Sequence, residues 1–78
     1  MSIEQKTRDV FQKILDVNPA EIKIDQPLDK CLGVDSTEMV EISVGLKKSF
    51  NIELANNEIK KSHSFNDIVA LLKAKGAN

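Results

Sequence analysis

Few residues in this chain could do chemistry. The segment "CLGVDSTEMVEI" (residues 31–42) places Ser36 between Asp35 and Thr37, where a loop gives way to an apolar-periodic run. Asp35 followed by Glu38 is a helix-start signal, with Asp35 suited to the cap. That assignment leaves the Ser36 hydroxyl free. A helix start presents unpaired N–H groups and the positive end of the helix dipole, so a phosphodiester on Ser36 would be electrostatically favoured there. Capping by the Asp-Ser pair is also compatible with the residue types, and the dipeptide alone does not decide between the two. A serine nucleophile would need a positioned base. The single histidine, His63 in "KKSHSF", has no evident acid to orient it. Cys31, the single cysteine, has no nearby base to lower its pKa and reads as a small, partly buried apolar residue. One histidine and one cysteine exclude a disulfide and argue against a structural zinc site. There is no Gly-rich phosphate loop and no paired-carboxylate pocket. No catalytic residue and no metal ligand is therefore expected, and the protein is expected to be a substrate of enzymes rather than an enzyme.

The elements that position Ser36 follow from periodicity. Seventy-eight residues form one small domain, 1–78, with a thin core. Hydrophobic content of 41 % and charged content of 29 % are those of a globular chain. Ser2 and Gln5 have capping-box spacing, and Ile3, Val10, Phe11, Ile14 and Leu15 follow on one helical face. Asn18-Pro19 should end that helix. Residues 17–35 make a long connection, and loops of such length are commonly functional. Ile22, Ile24, Leu28 and Leu32 should pin it to the core. A second long helix starts at Asp35, with Met39, Ile42, Leu46 and Phe50 as its buried stripe and Val40 and Val44 on a neighbouring face. "NIELANN" reads as extended loop, and a short helical turn is expected around Ile59. The last helix opens at Ser64, with Asp67 three residues on, carries Phe65, Ile68, Val69 and Leu72, and stops at Gly76. The fold expected is all-α: a small helical bundle with three longer helices, one short one and a long first loop.

Net charge is −1, so no global field favours nucleic acid or an anionic membrane, and neither is expected as a partner. No apolar run approaches membrane-spanning length, and no membrane insertion is expected. A cytoplasmic monomer is the expectation.

"GVDSTEMVEI" followed by "LKKSFNIEL" resembles the acyl carrier protein family. The matching features are a G-x-D-S run at the start of the second helix, the apolar-acidic pair Val40-Glu41, Phe50 closing the helix, and the Ile52/Leu54 segment. The likeness covers nearly the whole chain. It implies a four-helix carrier whose short helix is the third. It also implies that Ser36 is esterified with 4′-phosphopantetheine, donated from coenzyme A by a phosphopantetheinyl transferase. The arm's thiol then holds acyl groups as thioesters, at a high effective concentration for each docked enzyme. The partners implied are that transferase and acyl-loading, acyl-modifying and acyl-transferring enzymes. They would read the second helix at Asp35, Thr37, Val40, Glu41 and Val44, although Val44 could equally belong to the core. Aminoacyl or peptidyl cargo, or an unmodified helical adaptor, are the alternatives.

Four positions depart from the family pattern. Thr37 replaces a common leucine. Lys47 and Lys48 stand where acidic residues are typical. Ser43 and Ser62 replace aliphatic residues near the cargo cleft. Gly45 interrupts the second helix at about 1 kcal/mol relative to alanine, which suggests close helix packing or a partner's approach. Together they favour a specialised carrier over the bulk carrier of fatty-acid synthesis.

Overall fold

In the computed structural model, which describes residues 2–55 and 57–77, four α-helices run in the order α1 (Ile3–Leu15), α2 (Leu28–Cys31), α3 (Ser36–Phe50) and α4 (Phe65–Ala74). Among the described residues no strand forms, and the bundle expected from the sequence is found.

The Ser2 hydroxyl accepts the Gln5 N–H at 3.1 Å and starts α1. Gln5 does not return the bond; its side-chain amide donates to Asp9 instead, at 3.1 Å. The helix ends at Leu15, before the Asn18-Pro19 pair. Asp16 takes the left-handed conformation (φ 54°) and its N–H closes on the Gln12 carbonyl. The stop is thus an αL cap, which aspartate tolerates better than most residues, and not the proline.

The long first connection is structured. It holds a 3-10 turn (Pro19–Glu21) and α2. Ile22, Leu28 and Val34 are buried and Leu32 is partly buried, but Ile24 is 42 % exposed, contrary to expectation. Backbone bonds fix the connection: Leu28 N–H to the His63 carbonyl, Asp29 N–H to that of Lys61, and Asn66 N–H to that of Ile24. Ile24 is held by its carbonyl, which removes the need to bury its side chain.

The expected helical turn around Ile59 is a correction. The short helix of this fold is α2, inside the first loop, while residues 57–62 form successive turns. Asn56, part of that expectation, lies outside the described residues. Backbone bonds close separate turns here, Glu58 N–H to the Ala55 carbonyl at 3.0 Å and His63 N–H to the Lys60 carbonyl at 2.9 Å, and His63 Nδ1 takes the Lys60 N–H at 3.1 Å. Ile59 is buried all the same.

Asp35 caps α3 with a complete capping box. Its carboxylate accepts the Glu38 N–H at 2.8 Å, and Glu38 Oε1 accepts the Asp35 N–H at 3.1 Å. Asp35→Ala should therefore cost about 1 kcal/mol. In thermal melts that is a loss of roughly 4–8 °C, with Asp35→Asn recovering most of it.

Met39, Ile42, Leu46 and Phe50 face the core as expected. Gly45 faces α1: a Cβ there would lie 2.6 Å from Ile14 Cδ1 and 3.0 Å from Val10 Cγ1. Close helix packing is the reason for this glycine. Gly45→Ala should consequently fail to give the roughly 1 kcal/mol that helix propensity alone offers. In an Ile14→Ala background the same substitution should become stabilising, and a double-mutant cycle by urea denaturation reads that coupling.

Ser64 and Asp67 make a second capping box on α4, which closes where Gly76 turns left-handed (φ 82°). The centre of the core is Phe11 edge-on to Phe65, ring centroids 5.7 Å apart, among Leu28, Ile42, Leu46 and Leu72.

Candidate functional site

Ser36 is the first residue of α3 and is exposed. Because Asp35 takes the Glu38 N–H, the cap does not consume the Ser36 hydroxyl. The N–H groups of the first turn have no intrahelical acceptor, so the hydroxyl sits at an electropositive helix end.

A groove of about 390 Å³ opens beside it. From α3 come Ser36, Met39 and Val40. The turns at 57–62 contribute Ile59, Lys61 and Ser62, and α2 contributes Asp29. The groove is thus apolar along part of its length and polar or basic along the rest. Of the two serines expected near a cargo cleft, Ser62 lines this groove. Ser43 is wholly buried inside the bundle, where its hydroxyl donates to the Met39 carbonyl at 3.1 Å. That bond offsets the cost of burying a hydroxyl.

Asp35, Thr37, Val40, Glu41 and Val44 are all exposed on the outer side of α3. Val40 is 40 % and Val44 37 % exposed, which removes Val44 from the core. They lie one helical turn apart and form a small apolar patch flanked by Glu41. Lys48 stands beside Lys13 over the shallow furrow that Gly45 leaves between α1 and α3. Lys47 is half-buried.

His63 is not among the residues lining the Ser36 groove. Its ring holds the 60–63 turn by accepting the Lys60 N–H, and its carbonyl accepts the Leu28 N–H. Cys31 is half-buried, its thiol 4.0 Å from the Lys23 carbonyl. Among the described residues, no group of three His, Cys, Asp or Glu could hold a metal ion, and no helix is long and apolar enough to cross a membrane.

Glu58 anchors the turns that wall the groove: its carboxylate meets Lys75 Nζ at 2.6 Å and accepts the Ala55 N–H. The Lys75 bond first, and the Ala55 N–H second, hold the Glu58 pKa below its ordinary 4.5. A folded-state pKa below the unfolded one stabilises the fold above the unfolded value and loses that effect as pH falls through the folded value. Acid titration followed by amide hydrogen exchange should accordingly show Ala55 and residues 57–62 loosening below pH 4.5, and Glu58→Gln should remove that pH dependence.

Sequence reasoning gave Asp29 no role. Its one signal was a carboxylate directly after a core residue, Leu28, in a loop pinned to the bundle.

The family model described as "Phosphopantetheine attachment site" matches residues 5–72. The chain belongs to the acyl carrier protein family. It is 33 % identical over 78 residues to the acyl carrier protein of Campylobacter hominis, covering 100 % of this chain and 99 % of that one. It is also 33 % identical to those of Wolinella succinogenes (94 % of this chain, 96 % of the other) and Clostridium acetobutylicum (90 % and 91 %). Acyl carrier proteins are carriers, not catalysts, and membership implies a covalently attached 4′-phosphopantetheine.

Proposed function

We propose that this acyl carrier protein bears its 4′-phosphopantetheine on Ser36. The observation that carries the reading is the division of labour at the α3 start: Asp35 makes the cap and Ser36, exposed beside it, keeps its hydroxyl. The site suits the group in two further ways. The helix end favours the phosphodiester, and the adjoining groove offers apolar surface from Met39, Val40 and Ile59.

Ser36 supplies the oxygen that bonds phosphorus when a separate transferase breaks the diphosphate of coenzyme A, and the nucleotide portion leaves. The arm's terminal thiol, when bound, holds acyl cargo as a thioester for acyl-loading, acyl-modifying and acyl-transferring enzymes. Asp35, Thr37, Val40, Glu41 and Val44 form the face these enzymes read. Residues 1–78 act as one carrier domain, a monomer of the cytoplasm.

Its pathway is fatty-acid, specialised lipid or polyketide biosynthesis, and the departures from the family pattern favour a specialised carrier over the bulk carrier of fatty-acid synthesis. Thr37 shortens the apolar reach beside the serine. Lys47 and Lys48 reverse the charge at the far end of α3, which repels a basic docking patch and lowers steered encounter rates.

The test is incubation with coenzyme A and a broad-specificity phosphopantetheinyl transferase, followed by intact-mass spectrometry. One phosphopantetheine increment is expected, whereas no increment with several transferases would support the adaptor reading. The loaded protein should then fail to sustain elongation in an ordinary fatty-acid synthesis system; efficient elongation would contradict the specialised assignment.

A further inference from the structure

The furrow between α1 and α3, about 410 Å³ in volume, shares no lining residue with the Ser36 groove. Val10, Ile14 and Gly45 make its floor, and the exposed side chains of Lys13, Lys48 and Ser49 make its rim. No carboxylate lines it, and neither lysine forms an ion pair among the described residues. A cation in the last turn of a helix suits the helix dipole, and both lysines are so placed. That effect is met anywhere in the last turn. It does not call for two cations from different helices over one apolar floor, where they repel each other. Gly45 keeps the furrow open, because a Cβ there would already lie 2.6 Å from Ile14 Cδ1.

The furrow continues the outer side of α3. Glu41, Val44 and Lys48 fall at i, i+3 and i+7 and so share one side of the helix. Glu41 and Lys48 are two turns apart, about 10 Å along the axis. This side is acidic towards Ser36, at Asp35 and Glu41. It is apolar at Val40 and Val44, and basic at Lys48 and Lys13. A uniformly anionic surface, such as a lipid bilayer, would gain at the lysines and lose at the carboxylates. A protein surface can carry both signs in the matching order.

We propose that the α1–α3 furrow is a docking surface for a partner protein whose contacting segment presents an aliphatic side chain flanked by carboxylates. The side chain rests on Val10 and Ile14 beside Gly45, and the carboxylates pair with Lys13 and Lys48. The proposal deepens the carrier reading, on which the role of the neighbouring α3 face rests. A docking site that is basic throughout would match Asp35 and Glu41 and be repelled at Lys48. The furrow therefore selects enzymes whose docking site changes sign within about 10 Å.

The test uses the unmodified full chain, labelled with ¹⁵N. A blocked peptide of about 15 residues, long enough to hold a helix, carries leucines on one face between glutamates. Titrated into the protein up to millimolar concentration, it should shift the amide signals of Val10, Lys13, Ile14, Gly45, Lys48 and Ser49 saturably. The same peptide with lysines in place of glutamates should leave them unmoved. Lys13→Glu combined with Lys48→Glu should weaken binding about tenfold, as two surface pairs turn from attraction to repulsion. Lys13→Gln with Lys48→Gln should weaken it about threefold, and this pair carries the test should the charge-reversed protein fail to fold. Vesicles of phosphatidylglycerol should bind no better than vesicles of phosphatidylcholine. Absence of a saturable shift at these residues, equal shifts with the lysine peptide, affinity unchanged in the double variants, or preference for the anionic vesicles would each overturn the proposal. The protein carries no arm in this experiment, so its outcome is independent of attachment at Ser36, which the mass increment tests by itself.

Discussion

Ser36→Ala should lose the entire phosphopantetheine mass increment while remaining folded. The two halves of this expectation have separate physical grounds. Attachment needs a hydroxyl at the first position of α3, and Ser36 supplies it there, exposed beside the groove. Folding does not need it, because the Asp35–Glu38 box satisfies the helix end without Ser36. Alanine is also the best helix former at an exposed position. The stability change should thus lie within about 0.5 kcal/mol, the range for surface substitutions away from special features. Asp35→Ala reverses the pattern by costing stability first. A Ser36→Ala protein that still gains the full increment would move the attachment point, with Thr37 the first alternative to examine.

Phe65→Ala should be the most damaging substitution in the core. Phe65 is 1 % exposed, stacks edge-on to Phe11 and carries the Arg8 guanidinium 5.1 Å above its ring. It follows the Ser64 cap, whose backbone bridges to Pro27 in the first loop. The Phe65 side chain thus joins α4 to α1, while the backbone of the neighbouring Ser64 ties the start of α4 to the segment leading into α2. Truncating a buried phenylalanine costs about 3–5 kcal/mol. A 78-residue domain has roughly 4–12 kcal/mol in total, at about 0.05–0.15 kcal/mol per residue. Urea denaturation should show the midpoint falling by about a quarter or more, and at the low end of the range no folded baseline at all. Phe65→Leu keeps most of the volume and should cost about 1.5 kcal/mol or less. A cost below that for Phe65→Ala would mean that the rings are not the centre of the core.

How legible the molecule was in its sequence differs by element. The stripes of α1, α3 and α4 were readable because apolar spacing and cap residues point the same way. Asp35 with Glu38, and Ser64 with Asp67, each announce a helix start that the structure contains. The Asp35 cap was readable for the same reason, and it leaves the Ser36 hydroxyl uncommitted. The end of α1 was misplaced because an αL aspartate at position 16 stops the helix before the proline can. The short helix was placed on the wrong side of α3. His63 Nδ1 takes the Lys60 N–H and holds the 60–63 turn, and no periodicity signals this. Ile24 looked like an anchor, yet its carbonyl does the anchoring. Gly45, whose low helix propensity points to close packing, does pack against Ile14 and Val10. Asp29 could not be found by pattern, because the groove it lines is formed by distant segments.

The central claim is that Ser36 carries the arm. It is tested most directly on protein isolated from the cells that make it, by proteolysis and fragmentation mass spectrometry of the peptide spanning residues 31–47. The account predicts 4′-phosphopantetheine on Ser36, with a fraction of the arms bearing an acyl thioester whose mass identifies the cargo. Unmodified Ser36 in every such peptide, or the arm found on any other residue, would contradict it.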